Sequence, residues 1–159
     1  MYKVRLWSVK QARLMERTYA AVEKTLIAMA PMLEKIGYER LEKPVAAVEK
    51  VVKGALFDCQ MCGQCALSST GMSCPMNCPK TIRNGPCGGV RADGYCEVKP
   101  DMRCVWVEGY AGSQRMKAGS DIKLVQFAVD HRLKGSSSWL RVVQEKTSRD
   151  ETDAAGANT

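Results

Sequence analysis

The stretch that decides the fold is CQMCGQCALSSTGMSCPMNCPKTIRNGPCGGVRADGYCEVKPDMRC, residues 59–104. It holds all eight cysteines of the 159-residue chain, together with six glycines and four prolines. Such a composition disfavours long helices and strands, and it leaves few large apolar residues for a core. The sequence therefore predicts a small, irregular, cysteine-rich domain with little β structure, which metal binding has to stabilise.

The start of the chain bears on whether these cysteines bind metal or form disulfides. MYKVRLWSVK lacks the apolar core of a secretory signal, and the longest apolar stretch, residues 26–33, is far too short to span a membrane. We therefore expect a cytoplasmic protein that does not bind membranes. In that reducing compartment, clustered cysteines are more often metal ligands than disulfides.

The number of cysteines suits two sites of four ligands each. The candidate metal ligands are Cys59, Cys62, Cys65, Cys74, Cys78, Cys87, Cys96 and Cys104.

The spacing favours iron–sulfur clusters. The triplet C-x2-C-x2-C at 59–65 is typical of a loop that ligates three irons of a [4Fe–4S] cluster, while a distant cysteine followed by proline supplies the fourth ligand. Both Cys74-Pro75 and Cys78-Pro79 meet this description, and we favour Cys78. The predicted cofactors are two [4Fe–4S] clusters.

Zinc is the alternative. Cys62 and Gly63 continue a C-x2-C-G knuckle of the kind that zinc sites use, although no second C-x2-C pair follows later in the chain. Two Zn²⁺ ions in two four-cysteine sites therefore stay open beside the two clusters.

The rest of the chain divides by composition. We predict an N-terminal helical region at 1–57, the cysteine-rich module at 58–106, a C-terminal extension at 107–147 and a disordered tail at 148–159.

The N-terminal region carries a helical pattern. Apolar residues recur every three or four positions from Ala12 to Ile36, which predicts a helix that kinks near Ala30 or restarts with Pro31 in its first turn. Gly37 is a natural stop. A second helix is expected to begin at Pro44, with an apolar face made of Val45, Val48, Val52 and Leu56. In the extension we expect one short strand or helix near 124–129.

Charge and motifs exclude other functions. The net charge is +7, but it is spread thinly and has no basic run, so we expect no nucleic-acid binding. The single histidine, His131, has no partner for nucleophilic catalysis, and no phosphate-binding glycine motif is present. We expect no catalytic residues. A chain of 159 residues is also too short for a (β/α)8 barrel, which needs about 250.

The ordered blocks CPMNCPK (74–80), RNGPCGGV (83–90) and RLKGSSSWL (132–140) carry a resemblance. Together with the cysteine spacing, they resemble the C-terminal cysteine-rich domain of methylenetetrahydrofolate reductase, which also occurs as a separate small subunit. The resemblance covers roughly residues 57–143.

The resemblance implies a function in one-carbon (folate) metabolism. The chain is expected to be a small accessory subunit whose two [4Fe–4S] clusters pass electrons to or from a flavin-bearing TIM-barrel reductase subunit. The alternative is a structural zinc module that docks on the reductase and stabilises it without redox activity. Within RLKGSSSWL we expect Arg132 and Trp139 to contact the partner.

Overall fold

Four consecutive helices fill residues 2–57. The computed structural model describes residues 2–156, with the side chains of residues 2–149. The helices are α1 (Tyr2–Lys10), α2 (Ala12–Ala28), α3 (Ala30–Ile36) and α4 (Tyr38–Phe57). The predicted helical region is therefore confirmed.

The breaks between α2, α3 and α4 follow the predicted signals. Pro31 lies in the first turn of α3, where its missing N–H costs no helical hydrogen bond. Gly37 ends α3 at a φ of +94°, a value that favours glycine because it has no Cβ. The predicted restart and stop are thus confirmed.

The predicted start of the next helix is wrong. α4 begins at Tyr38, six residues before Pro44, which lies inside the helix. Both Pro44 and Arg40 are exposed, so water can bond the Arg40 carbonyl that proline leaves without a donor. The cost of an internal proline is therefore reduced at this position.

The predicted apolar face of α4 is confirmed only in part, since Val45 and Leu56 pack against two apolar cores. Val48 and Val52 are exposed, whereas the buried side of the helix carries Glu49 and Lys53. Val48 and Val52 lie on the outer surface because the inner surface is organised around this ion pair, which bonds to the C-terminal part of the chain.

The cysteine segment joins α4 to two later helices. It contains one short 3-10 turn, Pro75–Asn77, and two isolated β-bridges, and no β-strand forms within residues 2–156. α5 (Val105–Ser113) starts directly after the last cysteine, and α6 spans Ser138–Gly156. The little β structure is thus as predicted, whereas α5 and α6 make the described chain more helical than the predicted irregular domain with an N-terminal helical extension. The stabilising role of metal stays a prediction.

The C-terminal extension is more ordered than the sequence indicated. α5 was not predicted, and residues 124–130 form neither the helix nor the strand expected there. Two 3-10 turns, Gly119–Lys123 and His131–Leu133, flank that stretch. α6 continues through 156 and so includes the start of the segment predicted as a disordered tail. Residues 157–159 of that segment lie outside the described residues.

Packing brings the helices around the start of the cysteine segment. One core joins Ala12 and Met15 of α2 and Phe57 of α4 to Leu67 and Met72 of the cysteine segment. A second core joins α3 to α6 through Leu33, Leu140 and Val143. None of the described helices has the length and apolar content that a membrane span requires.

Glycines allow α5 to lie against the cysteine segment. A Cβ on Gly112 would fall 2.0 Å from the carbonyl oxygen of Gly71, and one on Gly71 would fall 1.9 Å from the carbonyl oxygen of Gly109. Such distances are possible only between bare backbones. α5 therefore fixes the turn that precedes Cys74.

Candidate metal centre

The first three cysteines follow the end of α4 in a tightly curled loop. The loop is entered through Asp58, with φ +55°, and continues through Met61 at +49° and Gly63 at +73°. Left-handed residues of this kind turn the chain back on itself, so that backbone N–H groups can point inward. The N–H of Met61 donates to the Cys59 Sγ over 3.4 Å.

Four cysteines line one small cavity beneath this loop. They are Cys59, Cys62, Cys65 and Cys74.

The fourth member differs from the pairing favoured from the sequence. Cys74 lines the cavity with the triplet, together with Pro75 and Met76 of the turn that follows it, whereas Cys78 is not among the lining residues. The cavity has a volume of about 20 Å³, room for little more than one water-sized body. A single ion would draw the four sulfurs inward, whereas a four-iron cluster would push the lining side chains outward.

Hydrogen-bond donors approach the sulfurs from several elements. The Tyr19 hydroxyl in α2 donates to the Cys65 Sγ at 3.1 Å. The Arg83 Nη1 lies 4.0 Å from the Cys62 Sγ, while its Nη2 donates to the Gln64 carbonyl at 2.7 Å. Such donors favour a sulfur that carries negative charge, as a metal-bound thiolate does.

Burial holds two of the free thiols, those of Cys59 and Cys74, in their protonated form. It raises the pKa of Cys59 to about 11 and that of Cys74 to about 12. Since metals bind the thiolate, loading this cavity has to release protons, and the attraction to the metal has to outweigh desolvation of the sulfurs.

A buried ion pair lies behind the cysteines, on the side of the cavity that faces α4. Glu49, which also lines the cavity, and Lys53 are each about 1% exposed, and the Lys53 Nζ lies 2.7 Å from the Glu49 Oε1. Burial alone would raise the pKa of Glu49, but the Lys53 charge and bonds from Lys53, Ser138 and Ser137 outweigh it and lower that pKa. The Glu49 carboxyl is therefore ionised.

Tyr19, Glu49 and Lys53 were missed as site residues. Glutamate and lysine four positions apart on one helix are a familiar surface pair, so their spacing suggested exposure rather than burial. The signal that could have found them is the serine-rich block at 136–138, whose hydroxyls need partners once they are buried.

The remaining four cysteines lie in a more open segment. Cys78, Cys96 and Cys104 are buried and Cys87 is half-buried. The Lys80 ammonium lies 3.9 Å from the Cys87 Sγ. That ammonium forms an ion pair with Glu97, whose hydrogen bond is the main cause of a raised Lys80 pKa, with smaller contributions from the charges of Cys87 and Cys96.

Backbone pairing ties this second group together. Val90 bridges Cys96, and the Cys104 N–H donates to the Gly94 carbonyl at 3.0 Å. The N–H of Gly89 donates to the Cys87 Sγ at 3.4 Å, which parallels the contact at Cys59. The segment thus brings Cys87, Cys96 and Cys104 into one neighbourhood, and Cys78 precedes Lys80 by two residues.

The donor set of both groups suits a soft metal centre. Thiolates select zinc and iron–sulfur clusters over hard cations. Within the part of the chain that the structure describes, no three His, Cys, Asp or Glu side chains stand in the arrangement that holds a single metal ion. The eight-cysteine ligand set therefore stays a prediction, with its first four members gathered at one cavity.

The two residues predicted to bind a partner have different surroundings. The Trp139 ring lies 5.1 Å from the Lys53 Nζ, and the backbone N–H of Trp139 donates to the Glu49 Oε2 at 3.2 Å, so this residue packs behind the cysteine cavity. Arg132 is 89% exposed and pairs with Asp130, whose pKa its hydrogen bonds lower to about 2. A partner-binding role for Arg132 and Trp139 stays a prediction.

Comparison with known proteins extends the sequence resemblance. The family model described as methylene-tetrahydrofolate reductase C terminal matches residues 38–132. The match covers more than half of the chain, from the start of α4 to the His131–Leu133 turn, and it includes all eight cysteines. Comparisons with curated proteins and with solved structures gave no match.

Proposed function

Because the chain belongs to the methylene-tetrahydrofolate reductase C-terminal family, we propose that it is an accessory subunit of such a reductase and binds two [4Fe–4S] clusters. Bound there, the clusters would supply one-electron transfer to or from a flavin-bearing TIM-barrel partner. The observation that carries this proposal is the convergence of Cys59, Cys62, Cys65 and Cys74 on one small cavity.

The first group supports a cluster by its ligand order and its surroundings. Three cysteines from one curled loop and a fourth that is followed by proline match the usual arrangement around a cubane. The Met61 N–H and the Tyr19 hydroxyl donate to ligand sulfurs, which stabilises the negative charge of a thiolate-bound cluster.

The second group supports a cluster through the donors beside Cys87. Cys87 is half-buried, with the Lys80 ammonium and the Gly89 N–H beside its sulfur. Cys87 and Cys104 also line a largely apolar cavity of about 550 Å³. A redox centre held here would lie within short reach of a docked protein, as electron exchange requires.

Metal and sulfide analysis of the protein purified without oxygen tests the proposal. Two [4Fe–4S] clusters correspond to about eight irons and eight acid-labile sulfides per chain, with a broad absorption band near 400 nm. A colourless protein with about two zinc ions and no sulfide would overturn it.

Two cysteine variants test the partition. Cys74→Ser should remove the first cluster and leave the second, which about halves the iron content. Cys78→Ser should act on the second cluster alone. The two variants should therefore lose different electron paramagnetic resonance signals, and loss of the same signal would contradict the grouping.

The structural zinc module is the second candidate, and the small size of the first cavity favours it. Four thiolates closing on one ion need little space, and a zinc-bound module would stabilise the reductase without redox activity. Its signature is loss of structure on chelation, with about two zinc ions released per chain and no redox signal.

The partner can be tested directly. Mixing the reduced, loaded protein with a flavin-bearing reductase subunit of the same family should bleach the flavin absorbance if electrons pass between them. A stable complex with no bleaching would instead support the structural role. Failure to associate would argue against both candidates.

A further inference from the structure

Behind the first cysteine cavity lies a layer of polar side chains that the proposed function does not use. Its centre is Lys53, which is 1% exposed and is among the largest fully buried side chains of the described residues. Removing a lysine from water is costly unless its charge and all its donors find partners. Specific contacts must therefore stabilise the buried charge of this lysine.

Those contacts hold the ammonium from four sides. The Lys53 Nζ donates to the Glu49 Oε1 and to the Ser138 Oγ, both at 2.7 Å. It also lies 5.1 Å from the centres of the Tyr19 and Trp139 rings, within the range of a cation–π contact. The lysine thus clamps two aromatic rings that come from opposite ends of the chain.

One of these rings carries the donor to the cavity. The Tyr19 hydroxyl donates to the Cys65 Sγ at 3.1 Å, a short distance for a bond to sulfur. A neutral thiol is a weak acceptor, whereas a metal-bound thiolate carries charge and accepts strongly. The position of the hydroxyl therefore suits a loaded site better than a free thiol.

The net charge of the layer is close to zero, because Lys53 and Glu49 are paired. Its effect on the cavity therefore depends on orientation rather than on a net positive charge. The lysine fixes the ring, the ring fixes the hydroxyl, and the hydroxyl points at one sulfur of the four.

We propose that Tyr19 is a positioning residue of the metal centre, which donates a hydrogen bond to the Cys65 thiolate and is held in place by Lys53 and Trp139. This proposal rests on the proposed function of the first cavity. A donor on a ligand sulfur stabilises the more negative, reduced state of a cluster and so raises its reduction potential.

Tyr19→Phe removes the hydroxyl and keeps the ring that packs on Lys53. The variant should assemble the same iron and sulfide content as the wild-type protein, but its first cluster should have a lower midpoint potential. For a bond of ordinary net strength, the ratio of reduced to oxidised cluster at a fixed potential should fall about two- to tenfold. An unchanged potential at full cluster content would overturn the proposal.

Tyr38→Phe is the matched control. Tyr38 is in the first turn of α4 and packs against the core of Leu33, Leu140 and Val143, and its buried hydroxyl has no hydrogen-bond partner among the described residues. Its loss should leave both potentials unchanged. A shift equal to that of Tyr19→Phe would attribute the effect to general packing and would also overturn the proposal.

Trp139→Leu tests the clamp while the hydroxyl stays in place. Loosening one face of the Lys53 contact should lower the potential of the first cluster in the same direction as Tyr19→Phe, by a smaller amount. Combining the two substitutions should add little, because both act through the same hydrogen bond.

A zinc-loaded wild-type protein would refute the proposed function but not the role of Tyr19. In that case chelator competition replaces the redox titration, and Tyr19→Phe should release zinc from the first site about two- to tenfold more readily than Tyr38→Phe. Equal release from the two variants would overturn the role of Tyr19 independently.

Discussion

The two groups of cysteines lie in regions that are built differently. The first group is embedded: residues 70–75 are all buried, and Leu67 and Met72 pack against α2 and α4. The chain around the second group is exposed by comparison, because Cys96 is the one buried residue between Pro79 and Arg103, although Cys78 and Cys104 at its two ends are buried as well. Helices support one group, while turns and two isolated bridges support the other.

This difference indicates where metal binding has to supply folding free energy. The first region buries apolar side chains and an ion pair whether or not a metal is bound, so it can keep its shape with free thiols. The second region buries too little apolar surface to offset its loss of chain entropy. We infer that ligation contributes to function at the first cavity and to folding itself at the second.

Removing the metal should have the largest effect of the changes considered, and it should change hydrogen exchange differently in the two regions. In the metal-free, reduced protein, amide hydrogens between 79 and 103 should exchange at rates close to those of an unfolded chain. Amides in α2 and α4 should stay protected, because their cores do not depend on the second group. Hydrogen exchange measured by mass spectrometry, before and after chelation, checks this.

Equal loss of protection in both regions would contradict this difference between them. It would mean that the helices also depend on bound metal and that the chain folds as one metal-dependent unit.

Lys53→Ala should produce the next largest effect, within the helical region. It leaves the Glu49 carboxylate buried without its cation, which lowers the free energy of unfolding by about 3–5 kcal/mol. Urea denaturation of the loaded protein measures this. Lys50→Ala, on the exposed side of the same helix, should stay within about 0.5 kcal/mol of the wild-type protein.

Replacing both partners distinguishes the buried charge from lost packing. Glu49→Leu combined with Lys53→Met removes both charges and keeps most of the volume, so it should recover a large part of the stability. A double variant as unstable as Lys53→Ala would show that the serine and aromatic contacts, not the unpaired carboxylate, dominate.

Local signals in the sequence were enough to predict part of the fold. The restart at Pro31 and the stop at Gly37 depend on one residue each, and the glycine- and proline-rich segment is irregular for reasons of composition. The gathering of Cys59, Cys62 and Cys65 also follows from spacing alone, since one curled loop joins them.

The remainder depends on contacts between distant residues. Tyr19 meets Cys65 across 46 positions, and Lys53 meets Ser138 across 85. No periodic pattern contains that information, and the usual placement of charged residues at the surface predicts the opposite. The choice of Cys74 over Cys78 likewise depends on the path that α5 imposes on the preceding turn through Gly71 and Gly112.

A substitution at that glycine contact should have an effect of intermediate size on the free energy of unfolding. Gly112→Ala places a Cβ about 2.0 Å from the Gly71 carbonyl oxygen, so α5 has to move and the free energy of unfolding should fall by about 1–3 kcal/mol. Gly54→Ala in α4 has no atom within 4 Å of the new Cβ and should instead stabilise by about 0.5–1 kcal/mol. Thermal unfolding of both variants checks the signs.

Gly112→Ala also tests which of the two groups of cysteines α5 supports. Since α5 fixes the turn before Cys74, the variant should lower the metal content of the first site more than that of the second. A selective loss at the second site would show that α5 supports Cys104 rather than Cys74.

The smallest effect concerns the pH dependence of the metal-free protein. Burial raises the pKa of Cys74 from 9.0 to about 12, so the folded chain keeps a proton that the unfolded chain loses near pH 9. Since the unfolded state binds fewer protons in this window, the contribution is complete below pH 9 and is lost as pH rises towards 12. Cys74 should then lower the free energy of unfolding by up to about 1.4 kcal/mol per pH unit. Subtracting the pH profile of a Cys74→Ala variant isolates this slope, because its other titrating groups are the same. Parallel profiles between pH 9 and 10.5 would mean that water reaches Cys74 without metal, and that the first region is as open as the second.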